Sequence, residues 1–227
     1  MGYLLLEGGA EFGGLMFEPD LNAIELAGGF NSPICIIPTA AAPDNNHKRA
    51  GDNGVRWFKS LGAKNVFTVD VIDTVSANNQ SLAASIRTSR LIYLLGGFPR
   101  YLGDTLANSI CWQAAVDAYK EGAVIAGSSA GAMVLCEHYY DPSDRKLMNG
   151  LNLIPNACVL PHHNTFGKNW VKPLMQLIPN ATLIGIDEQT GILNDKDKEW
   201  HVHGARKAVL YQTGQTQTYA RGETFSF

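Results

Sequence analysis

Between Ala123 and Leu135 the chain reads AVIAGSSAGAMVL, an apolar β-type stretch that passes through two adjacent serines into a helix-compatible run. A serine hydroxyl is a poor nucleophile unless a neighbouring base takes its proton, and it must be presented on exposed, strained backbone to reach a carbonyl carbon. A sharp strand-to-helix turn meets that demand. Gly127-Ser128-Ser129-Ala130-Gly131 matches the G-x-S-x-G nucleophile elbow, whose small flanking residues let strand and helix approach closely. The match assigns Ser129 as nucleophile and Ser128 as the variable position, and it puts the Ala130 amide where it can stabilise an oxyanion. The same letters also describe an ordinary glycine-serine loop, so the motif needs a base.

The candidate base lies in VLPHHNTFGKNW, Val159 to Trp170, where His162 and His163 follow a short apolar run. Sites of α/β sheets collect at the carboxyl ends of strands, and this segment ends one. Adjacent residues point in different directions, so at most one of the two histidines serves as base, and the residues alone leave the choice open. His138, His201 and His203 are weaker candidates, the first following the elbow helix and the others lying in a late strand.

Elements to position these groups are legible in the pattern. Short β-branched apolar segments alternate with segments of helical period, the signature of a mainly parallel sheet covered by helices on both faces. Strands are expected at Tyr3 to Leu6, Ile34 to Ile37, Val66 to Val71, Leu91 to Leu95 and Ala123 to Ala126. Helices are expected over about Asn46 to Leu61, around Leu82 to Ile86, over Gly103 to Tyr119 and over Trp170 to Leu177. Glu137 to Gly150 reads as polar and turn-like. Cys158 to Leu160 reads as a short strand. Leu183 to Ile186, Gly191 to Leu193, Trp200 to His203 and Ala208 to Tyr211 follow too closely for helical crossovers, so they are expected to extend the sheet in antiparallel or mixed fashion.

Composition narrows the partners. With 227 residues, 45% of them hydrophobic, and no linker-like stretch, one domain spanning 1–227 is expected. A net charge of −3 with scattered Lys and Arg argues against nucleic acid and anionic membranes. No apolar run approaches the roughly 18 residues of a membrane span, and the opening MGYLLLEGGAEF lacks a basic signal-peptide region, so a cytoplasmic location is expected. Cys35, Cys111, Cys136 and Cys158 form no metal-type spacing and read as reduced core residues. A homodimer is compatible with this composition, although no residue pattern marks an interface.

The chain resembles the serine peptidases that include cyanophycinase and aspartyl dipeptidase (dipeptidase E). The resemblance is carried by LLLEGGAEF, IIPTAA, IYLLGGFPRYL, AGSSAGAMVL, GLNLIP, VLPHHNTFGKNW, GIDEQTGIL and WHVHGARKAVLY, spread over nearly the whole sequence. It implies a three-layer α/β/α sandwich with a mainly parallel central sheet, of the class I glutamine amidotransferase-like, flavodoxin-like kind. By position, the family's serine falls on Ser129 and its histidine on His163. The family's aspartate of that segment is replaced here by Pro161, and its phenylalanine by Asn164. The acidic triad member, expected between serine and histidine, falls on Asp144, with Asp141 and then Glu137 as rivals. Aspartates in a DPSD turn also have an ordinary use as turn formers.

The resemblance further implies that the Gly96-Gly97 turn gives a backbone N–H, that of Gly97, to the oxyanion hole. The family continues that turn as GGNQ or GGDQ, whereas this chain reads Gly97-Phe98-Pro99-Arg100, which removes a polar substrate-contacting pair. Arg100, Asp187 and Glu188 are candidate substrate contacts, with Lys168 a weaker one, and local capping or surface charge is the alternative for each. The expected activity is hydrolysis of peptide bonds in small or aspartate-containing peptides, with no metal or cofactor. A binding or regulatory protein on the same fold is the alternative, motivated by the altered turn and by Pro161. A non-peptide amidase or esterase would use the same serine.

Overall fold

The computed structural model describes residues 1–227. In chain order the elements are β1 (Tyr3–Glu7), α1 (Phe17–Leu26), β2 (Ile34–Ile37), α2 (His47–Ser60), β3 (Val66–Thr68), α3 (Gln80–Arg87), β4 (Leu91–Leu94), α4 (Pro99–Leu106), α5 (Ile110–Lys120), β5 (Val124–Ser128) and α6 (Ala130–Leu135). They continue with β6 (His138–Asp141), β7 (Lys146–Asn149), β8 (Ala157–Leu160), α7 (Val171–Leu177), β9 (Thr182–Ile186), β10 (Thr190–Asn194), β11 (Trp200–Gly204), β12 (Lys207–Gln212), β13 (Gln215–Ala220) and β14 (Thr224–Phe225).

Eight strands form the central sheet in the order β14-β11-β10-β1-β5-β4-β2-β3. β1, β5, β4, β2 and β3 run parallel, and β10, β11 and β14 add an antiparallel edge. The period-2 alternation of side chains explains why the parallel strands are apolar throughout. Leu5, Ile34, Ile36, Leu91 and Tyr93 pack on one face with Ile24 of α1 and Phe58 of α2. Leu4, Leu6, Cys35, Ile37, Ile92 and Leu94 pack on the other, against α3 to α6. Each fully buried aliphatic side chain is worth about 1.5–3 kcal/mol relative to exposure. All four cysteines are buried and free, and burial pushes the Cys35 thiol up to about 12.

The late strands do not all join the central sheet as expected. β9 and β12 pair with β8 and β13 in a separate four-stranded sheet, while β10, β11 and β14 extend the central one. Spacing along the chain identifies strands but not which edge each one meets. The expected helix over Gly103 to Tyr119 is two helices, α4 starting earlier at Pro99 and α5 starting at Ile110. Asn108 takes a left-handed φ of 59° between them, and the Ser109 hydroxyl accepts the Trp112 N–H at 3.1 Å as an N-cap. The turn-like segment after α6 is a β6–β7 hairpin, and α1 was not expected at all. The apolar positions of α1 are interrupted by Glu18, Asp20 and Asn22, which hides its helical period.

One of those interruptions matters for the core. Asp20 is buried, accepts a hydrogen bond from Trp57 Nε1 at 2.7 Å, and faces the buried Glu7 of β1, which accepts one from the Tyr93 hydroxyl. Glu7 Oε1 and Asp20 Oδ1 are both buried without a hydrogen-bond partner. Burial pushes the Asp20 carboxyl up to about 7, and burial together with the neighbouring Asp20 raises that of Glu7 well above the carboxylate range. The folded chain therefore keeps protons that the unfolded chain releases above about pH 4. The stabilisation is fully present below that pH and is lost as pH rises through about 7. Thermal melts should show wild-type stability falling between pH 5 and pH 8, and Asp20→Asn should flatten that slope; an unchanged slope would exclude the pair as its source.

Candidate active site

The parallel strands bring three turns together at their carboxyl ends, after β1, β4 and β5. β5 ends in Ser128, and Ser129 follows with φ 48° and ψ −110°, a conformation rare for a residue with a side chain. The Ser129 N–H donates to the Glu7 carbonyl at 3.0 Å, which ties the elbow to β1. Small residues are required on both sides of it. A Cβ on Gly127 would collide with the Gly131 backbone, and one on Gly131 would collide with the Leu94 carbonyl. Ala130 opens α6, so its N–H has no partner one helical turn back. At the end of β4, Gly97 has φ +139° and a Cβ there would strike the Ala40 carbonyl, so this turn is built for glycine.

Ser129 Oγ lies 3.0 Å from His162 Nε2. His162 Nδ1 lies 2.8 Å from Glu188 Oε1. His162 has a left-handed φ of 48°, its N–H donates to the Gly8 carbonyl at 2.7 Å, and its ring stacks on Phe166 with centroids 4.9 Å apart. The ring rests on Gly9, where a Cβ would collide with it. Glu188 follows β9, and its N–H donates to Asn164 Oδ1 at 2.8 Å. Serine, imidazole and carboxylate thus form one hydrogen-bonded chain, with Asn164 and Gly9 as supports that sequence reasoning did not single out.

This geometry corrects two expected positions. His163 does not meet Ser129. It is buried, with Nδ1 3.2 Å from Asp187 Oδ1 and Nε2 2.8 Å from the Tyr211 hydroxyl, and burial pulls its basicity down against the opposing pull of Asp187. The reason is the backbone reversal at His162, which turns residue 162 toward the elbow and sends residue 163 under the second sheet. The room for that ring exists because residue 185 is glycine, where a Cβ would collide with His163. Asp144 likewise meets neither histidine. It lies in the β6–β7 turn, exposed and ion-paired with Arg100.

Other expected contacts fall apart in the same way. Asp141 is buried and accepts the Ser143 N–H at 3.1 Å in its own turn, and Glu137 accepts the N–H of Asn156, just before β8, at 2.7 Å, so neither reaches a histidine of the β8 turn. Arg100 lines a separate cavity with Asp104 and Asp144, and Lys168 is exposed in the short turn before α7. Asp187 is buried against His163 rather than open to a ligand. Of the three acidic or basic residues expected to touch substrate, only Glu188 reaches the serine-histidine pair.

The support under His162 offers a test that leaves the imidazole itself in place. Gly9→Ala should displace the ring from Ser129 and lower activity by about 10²-fold or more, since small misplacements of reacting groups have such effects. Kinetics and circular dichroism measured together check this; full activity in a folded variant would show that the ring tolerates the methyl group.

The comparisons agree with this arrangement of strands. The structure matches a crystal structure of a peptidase from an acI-B1 Actinobacterium with a TM-score of 0.90 and 31% identity, covering 100% of this chain and 97% of that one. It matches a putative peptidase E protein from Listeria monocytogenes EGD-e with a TM-score of 0.60 and 17% identity, a likeness of fold. The family model for peptidase family S51 matches residues 4–201. Accordingly, the chain belongs to peptidase family S51, and it is a serine peptidase of that family. Among curated proteins it is 30% identical over 207 residues to a cyanophycinase of Geminocystis herdmanii, covering 85% of this chain and 74% of that protein. It is 27% identical over 195 residues to a cyanophycinase of Trichormus variabilis, covering 81% of this chain and 64% of that protein. No helix is long and apolar enough to cross a membrane.

Proposed function

We propose that Ser129, His162 and Glu188 act as a catalytic triad that hydrolyses peptide bonds in small or aspartate-containing peptides. The observation that carries this reading is the unbroken chain from Ser129 Oγ to His162 at 3.0 Å and from His162 to Glu188 at 2.8 Å, mounted on a strained elbow. With Nδ1–H donating to Glu188, Nε2 is left as the acceptor for the serine proton. Ser129 Oγ attacks the carbonyl carbon as its proton passes to His162, and the Gly97 and Ala130 N–H groups receive the developing oxyanion. The imidazolium, stabilised by Glu188, gives that proton to the leaving amine, and the C–N bond breaks. Water then attacks the acyl-enzyme, His162 takes its proton and returns it to Ser129, and the acid product leaves.

The resemblance to cyanophycinase and aspartyl dipeptidase, with cyanophycinases among the curated relatives, supports a peptide with an aspartyl residue near the cleaved bond. The departure at Phe98-Pro99-Arg100 separates this chain from the usual substrate contacts of either, so dipeptide and isopeptide substrates are both to be screened. The direct test is labelling with a fluorophosphonate, mapped by mass spectrometry, followed by assays on Asp-X dipeptides and β-aspartyl-arginine. Labelling at Ser129 that is lost in Ser129→Ala is the expected result. An unlabelled wild type would favour a non-catalytic protein on this fold, and labelling without peptide cleavage would favour an amidase or esterase.

A further inference from the structure

The reaction above uses one of the two adjacent serines. Ser128 is fully buried, and its hydroxyl donates to Glu11 Oε2 at 2.9 Å. Glu11 lies in the turn that leaves β1, only partly buried. Its other oxygen, Oε1, is turned toward Gly96. A point built as a Cβ on Gly96 is 3.1 Å from Glu11 Oε1 and 3.3 Å from Ser129 Cβ, so the carboxylate and the serine are separated by no more than about two residues of extended chain.

Glu11, Gly96 and Gly97 line one wall of a cavity of about 640 Å³, with Phe12 and Trp57 among its apolar surfaces. Its charged residues are Glu11, Asp44 and Arg56, an excess of one negative charge, and the Arg56 guanidinium bonds to Asn53 on its own helix. No lysine, arginine or histidine pairs with Glu11. A neutral hydroxyl orients the carboxylate without neutralising it, and in a partly desolvated cavity such a charge attracts a cation strongly.

We propose that Glu11 receives a cationic group of the substrate next to the cleaved bond and that Ser128 is the positioning residue that aims it. This rests on Ser129 as the nucleophile. The cation is an α-ammonium of an N-terminal residue or a side-chain ammonium or guanidinium, and both would form charge-assisted hydrogen bonds to the carboxylate.

The test uses Asp-Arg, its N-acetylated form and Asp-citrulline, read as kcat/KM on the wild type and Glu11→Gln, and as calorimetric binding to Ser129→Ala with and without Glu11→Gln. Acetylation removes the α-ammonium and citrulline the guanidinium, so the form that loses rate identifies the source. The wild type should favour the cationic peptide about 10- to 100-fold, in line with a hydrogen bond to a charged group. Glu11→Gln should collapse that ratio toward one, and Ser128→Ala should reduce it by a few-fold, chiefly through KM. A structural role for Glu11 would lower all rates together and leave the ratio intact. An intact ratio in Glu11→Gln, or no preference in either rates or binding, overturns the proposal. Absence of fluorophosphonate labelling in the wild type would instead remove the nucleophile reading, and the binding arm would still decide whether Glu11 selects a cation.

Discussion

His162→Ala is expected to remove about 10⁴–10⁶ of kcat, together with fluorophosphonate labelling of Ser129, because in the proposed triad one imidazole both withdraws the serine proton and protonates the leaving amine. His163→Gln, one residue away, should still label. Its expected effect is on stability, about 1–3 kcal/mol, because its buried partners Asp187 and Tyr211 would be left with imperfect hydrogen bonds. Labelling, kinetics and urea denaturation of both variants make the contrast. If His163→Gln loses labelling while remaining folded and His162→Ala keeps it, the triad is wrongly drawn.

Glu188→Gln should lower kcat by about 10³–10⁴ while leaving KM within a few-fold. A carboxylate beside Nδ1 holds the productive tautomer and stabilises the imidazolium, and an amide at that position does neither with charge. Asp144→Asn provides the comparison. Asp144 and Arg100 are a surface ion pair with side chains 41% and 50% exposed, and such pairs are worth about 0–1 kcal/mol. Activity and melting temperature should therefore stay close to wild type in Asp144→Asn. Steady-state kinetics of both variants decide the matter: a severe loss in Asp144→Asn with none in Glu188→Gln would return the acidic role to the β6–β7 turn.

Sequence reasoning went furthest where chemistry and local backbone coincide. The elbow is legible because G-x-S-x-G specifies small residues at each point where strand and helix touch, and those glycines meet Leu94 and each other as such packing requires. The parallel strands are legible because residues buried on both faces are apolar without interruption. The residues leave His162 and His163 open, since alternation along a strand stops being informative once the chain leaves β8, and position within the family resemblance points to His163. A left-handed residue at 162 cannot be read from PHHN, where neither glycine nor asparagine marks it.

The sequence by itself determined the class of sheet, the G-x-S-x-G elbow and the family resemblance, because each is written in short stretches of residues whose local geometry follows from their types. It also contained Glu188, in the GIDE stretch, but offered no means of ranking it above Asp144 as the third member of a triad. Only the tertiary structure separates the two, by bringing the end of β9 beside the turn after β8 and setting Glu188 2.8 Å from His162. The same is true of the Ser128–Glu11 bond, which joins residues 117 positions apart. Such contacts depend on which strands become neighbours, and that is settled by the packing of whole faces rather than by the residues that finally meet.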